Sequence, residues 1–214
     1  MSKNTSVKIK RALLSVSDKS GISELAKSLE NGGVEIVSTG GTLKHLADEG
    51  IKVKEVSDFT GSPEMMEGRV KTLHPKIHAG ILSRREKDFD EVKENFIEEI
   101  DLVVINLYPF EETVKKKVSL EETIENIDIG GPTIIRAAAK NFYYVTVLSS
   151  PENYSDFIDE FSENNEVSYE TRYELARKAF NKISEYDLAI SKYFNPTKEE
   201  DFPNLIFDKY KKIS

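Results

Sequence analysis

The chain has 214 residues, with 30 Lys and Arg against 38 Asp and Glu, a net charge of -8, a pI near 5.1, 38% apolar residues and 32% charged ones. That length is ample for one buried core, and the acidic balance argues against a nucleic-acid surface, so any phosphate site must gather its cations locally. The absence of cysteine excludes disulfides, thiolate chemistry and Cys-ligated metals. With no membrane-length apolar run and no signal-like start, no membrane association is expected and the expected compartment is the cytoplasm.

The first apolar run, ALLSV at 12–16, reads as a buried strand ending in Ser17, Asp18 and Lys19. Ile22, Leu25, Ala26 and Leu29 then recur at helical spacing, with Asp18 or Ser20 as the expected cap and Gly32 and Gly33 as the stop. The unit repeats: a strand at 34–37, a turn at 38–42 containing Thr39, Gly40, Gly41 and Thr42, and a helix at 43–49 closed by Gly50. Alternating strand and helix predicts an α/β fold with a doubly wound parallel sheet.

A third strand is expected at 53–56, after which GRVKTLHP at 68–75 concentrates cations and hydroxyls. In an extended segment Arg69 and Lys71 would leave on the same side, a geometry suited to one anion. Residues 86–99 place Phe89, Val92, Phe96 and Ile97 at helical spacing, and the uninterrupted run LVVINL at 102–107 predicts a central strand covered on both faces. Tyr108 and Pro109 end it. One or two helices follow at 110–126, with Lys115, Lys116 and Lys117 as a solvated face, and Asp128 caps a helix that reaches about Lys140. A fifth strand is expected at 144–148. From Pro151 the pattern is helical, and Leu175, Ala179, Ile183, Tyr186, Ile190 and Tyr193 predict one long amphipathic helix ending at Asn195 and Pro196.

Three polar clusters, Ser17 to Lys19, Ser38 to Thr42 and Asn106 to Tyr108, directly follow strands and therefore share the carboxyl edge of a parallel sheet, where open α/β sheets bind ligands. Glycines there let backbone amides approach a phosphate, the Thr39 and Thr42 hydroxyls can donate, and the following helix presents its positive end. Three scattered histidines without cysteine make a metal cage unexpected, and His74 and His78 read as structural or as supporting the site from behind its contact residues, since Pro75 between them argues against a shared helical face.

The motifs SVSDK, STGGT, PEMMEGRVKTLHPKIHAGIL, NLYPF and IDIGGPTIIRAAAKN, in that order and spacing, resemble the inosine monophosphate (IMP) cyclohydrolase family, the N-terminal domain of a bifunctional purine-biosynthesis enzyme. The resemblance implies a methylglyoxal-synthase-like fold over 1–196 with an added C-terminal helical segment, a homodimer, no cofactor and a purine ribonucleotide monophosphate as substrate. It carries nucleotide contacts to Ser17, Asp18, Lys19, Thr39, Gly40, Gly41, Thr42, Arg69, Val70, Lys71, Thr72, Ile105, Asn106, Asp128 and Ile129. Chemistry is carried to Lys71, Tyr108, Asp128 and Lys140, the lysine as proton donor and acceptor, with the choice between Asp128 and Lys140 as base left open. Phe142 stands where many relatives have His, and the formyltransferase domain does not follow. Residues 197–214 read as a connector toward it, in a shortened chain rather than a split gene product. A regulatory nucleotide-binding module and a phosphate-eliminating lyase of the same fold are the rival readings.

Overall fold

The computed structural model describes residues 6–108 and 110–195, so the expected connector at 197–214 lies outside the described residues. The described residues fall into two compact units: 6–108 with 128–183, and 110–127 with 184–195. The first holds a five-stranded sheet built from β2 (Arg11–Val16), β3 (Glu35–Ser38), β4 (Lys54–Glu55), β5 (Leu102–Asn106) and β6 (Thr146–Leu148). All pairings are parallel and the spatial order is β4-β3-β2-β5-β6. The chain winds outward from β2 to β4 and then returns to the other side for β5 and β6. The order therefore reverses between β2 and β5, which opens a crevice at their carboxyl ends.

The strands form because apolar residues can be buried on both faces. Ala12, Leu14 and Val16 of β2 and Leu102 and Val104 of β5 join one core with Ile22, Leu25, Ala26 and Leu29 of α1 (Ile22–Asn31) and Phe157 and Phe161 of α9 (Tyr154–Asn164). The last two rings stack 5.5 Å apart. Alternation turns Leu13, Val37, Val103 and Val147 to the opposite face, where α8 (Gly130–Lys140) packs on β5 and β6 and against α4 (Pro75–Leu82). Each buried Leu, Ile or Phe in these layers contributes about 1.5–3 kcal/mol of transfer free energy. At the amino edge of the sheet, charge is structural: Asp101 accepts the Lys10 and Arg11 amides at 2.9 and 3.1 Å and pairs with Arg85 at 3.1 Å.

A two-stranded antiparallel sheet, β1 (Val7–Lys8) with β7 (Glu166–Val167), stands apart from the five strands. α10 (Tyr169–Phe194) follows β7 and buries Leu175, Ala179, Ile183 and Tyr186 of the expected stripe, while Ile190 and Tyr193 at its far end are only half-buried. The second unit holds α6 (Phe110–Lys115), α7 (Leu120–Glu125) and the end of α10, where Phe110 meets Tyr186 and Tyr193 edge to face.

Several local expectations are corrected. β4 covers two residues only, because Val56 is buried at the start of a short helix, α3 (Val56–Thr60). The helix expected across 86–99 shrinks to α5 (Phe89–Glu94), with no buried residue. Phe96 lies outside it, 86% exposed with φ 52°, so apolar spacing there does not mark a buried face. α2 (Gly40–Asp48) starts three residues before the expected 43, since a polar first turn leaves no apolar periodicity to read. Pro75 does not break a helix but opens α4 as its first residue. His74 caps it, its Nδ1 accepting the Lys76 amide at 3.1 Å while Nε2 faces Ser62 at 3.2 Å, which bears out its structural reading.

Candidate active site

Asn106, the last residue of β5, ties the two strands together at the crevice. Its side-chain oxygen accepts the Ser17 amide at 2.7 Å, the Ser17 hydroxyl at 2.8 Å and the Asp18 amide at 2.9 Å, and its amide nitrogen donates to the Asp18 carbonyl at 2.9 Å. Ser17 Oγ also reaches the Leu107 carbonyl at 2.9 Å. A buried amide with its hydrogen bonds made inside the protein fixes the 17–19 loop in place. Asp18 does not cap α1 as expected: Gly21 occupies the cap in a left-handed conformation, and the Asp18 carboxylate accepts the Ser20 amide and hydroxyl instead. Those two bonds hold the Asp18 carboxyl below its ordinary range.

On the neighbouring side, Thr39 is extended and Gly40, Gly41 and Thr42 form the first turn of α2, whose unpaired amides form the positive helix end. The expectation that the Thr42 hydroxyl donates to a ligand is corrected. It is buried, accepts the Val16 amide at 2.9 Å and donates to the Val16 carbonyl at 3.1 Å, so it fastens α2 to β2.

Lys71 lies over this turn: a Cβ placed on Gly40 would sit 3.5 Å from its Nζ. Arg69 and Lys71 do not share an extended segment as expected. Arg69 closes a tight turn whose preceding residues Met66, Glu67 and Gly68 all have positive φ, and Val70 is bridged to Met65. Three left-handed residues in a row, two of them not glycine, store backbone strain beside the cations. Lys19 completes the cationic group, its Nζ turned to the Val16 and Ser17 carbonyls. Burial depresses the Lys19 ammonium, the Asp18 carboxylate opposes this, and the Lys71 charge adds to the depression. Two ammonium groups that disfavour each other beside a helix N-terminus form a ready site for a multiply charged anion.

Asp128 approaches from the other side at the start of α8. Ile129 is the helix boundary residue, yet the carboxylate one position earlier accepts the Gly131 amide at 2.9 Å. Only glycine fits at 131, because a Cβ there would lie 2.4 Å from Asp128 Oδ2 and 3.0 Å from Leu107 Cδ2. Burial raises the Asp128 carboxyl above its usual range, while the Gly131 amide, the Lys71 charge and the Gly130 amide pull it down. Thr72 is buried with its hydroxyl 3.1 Å from where a Gly130 Cβ would stand, so this loop packs on the α8 terminus. Tyr108 and Ile129 are 57% and 61% exposed beside these groups in sequence, and Ile105 is buried in β5.

The clusters at the ends of β2, β3 and β5 thus share one crevice edge, and the Lys71 loop and the α8 start join it. Lys140 does not. It ends α8, exposed, and ten residues at 1.5 Å each place it about 15 Å along the axis from Gly130. The expectation that Asp128 caps α8 is met by its carboxylate, which takes the Gly131 amide from one position before the boundary residue. Among the described residues no group of three or more His, Asp or Glu side chains is disposed to hold a metal, and no helix is long and apolar enough to cross a membrane.

Comparison with known proteins gives the family of the chain. Residues 21–133 match the MGS-like domain family, and residues 138–214 match the AICARFT/IMPCHase bienzyme family. The chain is 52% identical over 209 residues to the bifunctional purine biosynthesis protein PurH of Acetivibrio thermocellus, covering 96% of this chain and 41% of that protein. It is 53% identical over 206 residues to PurH of Clostridium acetobutylicum, covering 95% and 41%. It therefore spans about two fifths of the length of these relatives. The crystal structure of ForH superposes with a TM-score of 0.77 at 35% identity, covering 87% of this chain and all of that one.

Proposed function

We infer the activity from the premise that the chain belongs to the MGS-like domain family and is similar along most of its length to bifunctional purine biosynthesis proteins. It is an IMP cyclohydrolase, closing the second purine ring of 5-formamidoimidazole-4-carboxamide ribonucleotide with loss of water. The observation that carries this reading is the convergence of Lys19, Lys71, the first turn of α2 and the buried Asp128 at the switch point. The ammonium groups and the α2 amides take the phosphate, and the 17–19 and 105–108 segments and Ile129 border the rest of the nucleotide. No cofactor takes part, and the soluble nucleotide rather than nucleic acid or membrane is the partner, in the cytoplasm.

In the reaction the carboxamide nitrogen attacks the formyl carbon, a C–N bond forms, the carbonyl oxygen takes negative charge, and the nitrogen loses a proton. The oxygen takes up two protons in all, matching the one lost by the carboxamide nitrogen and the one lost by the formamido nitrogen. Its bond to carbon breaks and it leaves as water, while the lone pair on the formamido nitrogen forms the C=N double bond that completes the aromatic ring. An amide is a poor nucleophile, so the site must hold attack geometry and stabilise the oxyanion. Lys71 and Tyr108 serve the oxyanion as cation and neutral donor. Asp128, its carboxyl raised by burial, takes the amide proton.

The test is ultraviolet detection of ring closure with the synthetic formylated nucleotide. Closure is expected to persist in a chelator, because the chain has no cysteine and only three histidines. Loss on chelation with recovery on adding a divalent metal overturns this. Binding of IMP without closure returns the site to a regulatory module, and release of phosphate from a triose phosphate makes it a lyase.

Lys140 contributes to this chemistry in a homodimer, by reaching the site of the other copy, since α8 holds it far from Asp128 of its own chain. Lys140→Arg and Asp128→Asn chains, each inactive alone, should therefore complement when unfolded together and refolded as a mixture. Half the dimers are then hybrids with one intact site of two, so about a quarter of the parent activity is expected. Recovery near the level of the separate mutants places Lys140 outside the chemistry of a shared site.

A further inference from the structure

Tyr154 opens α9 and is 3% exposed, its ring in the core with Phe157 and Phe161. Its hydroxyl is buried and makes no hydrogen bond among the described residues. A buried phenol without a partner costs stability, and phenylalanine would fill the same space without that cost. The hydroxyl therefore adds nothing to packing, and its surroundings suggest what it does. Leu102, Val104 and Asn106 alternate onto one face of β5, and Leu102 and Val104 share their core with Tyr154. The Asn106 side chain is thus directed to the side of the sheet that Tyr154 occupies. The phenol lies beside that side chain but outside hydrogen-bonding geometry with it, and the Asp18 carboxylate is near enough to be felt. The ring also supports the same loop from below, since a Cβ on Gly21 would touch Tyr154 Cδ2 at 3.4 Å.

We propose that the Tyr154 hydroxyl is a positioning residue for the nucleotide site, supporting the Asn106 amide and, through it, the 17–19 loop. Asn106 Nδ2 has two hydrogens and gives one to the Asp18 carbonyl. The second is available to the phenol oxygen once the loop settles onto a bound nucleotide. The hydroxyl then gains in the bound state the partner it lacks in the empty one, which converts a cost borne by the free protein into affinity for ligand. The inference rests on the cyclohydrolase reading for the identity of the ligand but not for the state of the loop.

Tyr154→Phe tests both parts. The parent fold is expected to be kept, with a Tm equal to or above the parent's, while IMP binds roughly three- to ten-fold more weakly, the fold-change of one hydrogen bond, and kcat changes less than KM. In the IMP-saturated protein, hydrogen exchange of the Ser17 and Asp18 amides, both bonded to Asn106 Oδ1, should be several-fold faster in Tyr154→Phe than in the parent, while exchange in the two ligand-free proteins stays equal. Tyr154→Leu, which removes the ring as well, should lower Tm and so separates packing from positioning. Unchanged IMP affinity and unchanged exchange in Tyr154→Phe overturn the proposal. If the parent itself neither binds IMP nor closes the ring, the cyclohydrolase reading fails, and the same exchange comparison with saturating inorganic phosphate decides whether the hydroxyl holds the loop of an occupied site.

Discussion

An Asp128→Asn chain is expected to lose roughly 10²- to 10⁴-fold in kcat for ring closure while folding at least as stably as the parent at neutral pH. The two halves have separate causes. Asparagine keeps the shape and an oxygen that can accept the Gly131 amide, so the start of α8 stays capped, but it cannot take a proton. For stability, burial raises the Asp128 carboxyl in the folded chain above its unfolded value. The folded state therefore holds that proton more tightly, and the contribution to stability is present below the unfolded pKa and lost as pH rises through the folded one. At neutral pH the ionised carboxylate is a net cost, which a neutral amide removes. Denaturation at pH 7 and at pH 4 should accordingly show the mutant's relative advantage shrinking in acid. In the parent, ring closure should decline as pH falls through a pKa above the ordinary Asp range, because the base is then protonated. A mutant with near-parental kcat, or one clearly less stable at pH 7, removes Asp128 from the role of buried base.

Replacing Arg172 by Ala is expected to cost about 3–5 kcal/mol, a third or more of the 5–15 kcal/mol that holds a typical protein folded. Arg172 is fully buried on α10. Its guanidinium donates to the Phe142 carbonyl at 2.9 Å, to the Tyr143 carbonyl at 3.2 Å and to the Val167 carbonyl, and Glu160 and Glu170 balance its charge. One side chain thus joins the segment after α8, the end of β7 and the start of α10. Alanine leaves a cavity and carbonyls without donors, and the two costs add. Arg172→Lys should recover only part of the loss, because a single ammonium cannot reproduce a planar fork that addresses three carbonyls. Urea unfolding at neutral pH measures both. A loss below about 1 kcal/mol for the alanine variant would show that water or neighbouring groups take over those carbonyls.

The sequence by itself determined the elements whose signal is local. The runs at 12–16 and 102–107 are almost wholly apolar, with Ser15 and Asn106 as their polar members, because both faces of an interior parallel strand are covered; the spacing of α1 states its buried stripe residue by residue, and that of α10 states it from Leu175 to Tyr186. Placing Lys19, Gly40 and Asn106 at one sheet edge also followed from the sequence, since each lies just after a strand and parallel strands end together. Tertiary structure alone decided the roles within that edge. Asn106 and Thr42 are occupied in bracing β2, Lys71 is set over α2 by a strained turn, and Lys140 is held away by the length of its own helix. The Tyr154 hydroxyl and the Arg172 fork were invisible in the chain for the same reason. What surrounds them lies from 5 to 48 residues away: the backbone carbonyls that Arg172 addresses and the Asn106 side chain that neighbours the Tyr154 hydroxyl. A backbone carbonyl carries no mark in the sequence, and the burial that gives such a polar group its energetic weight exists only once the layers have closed around it.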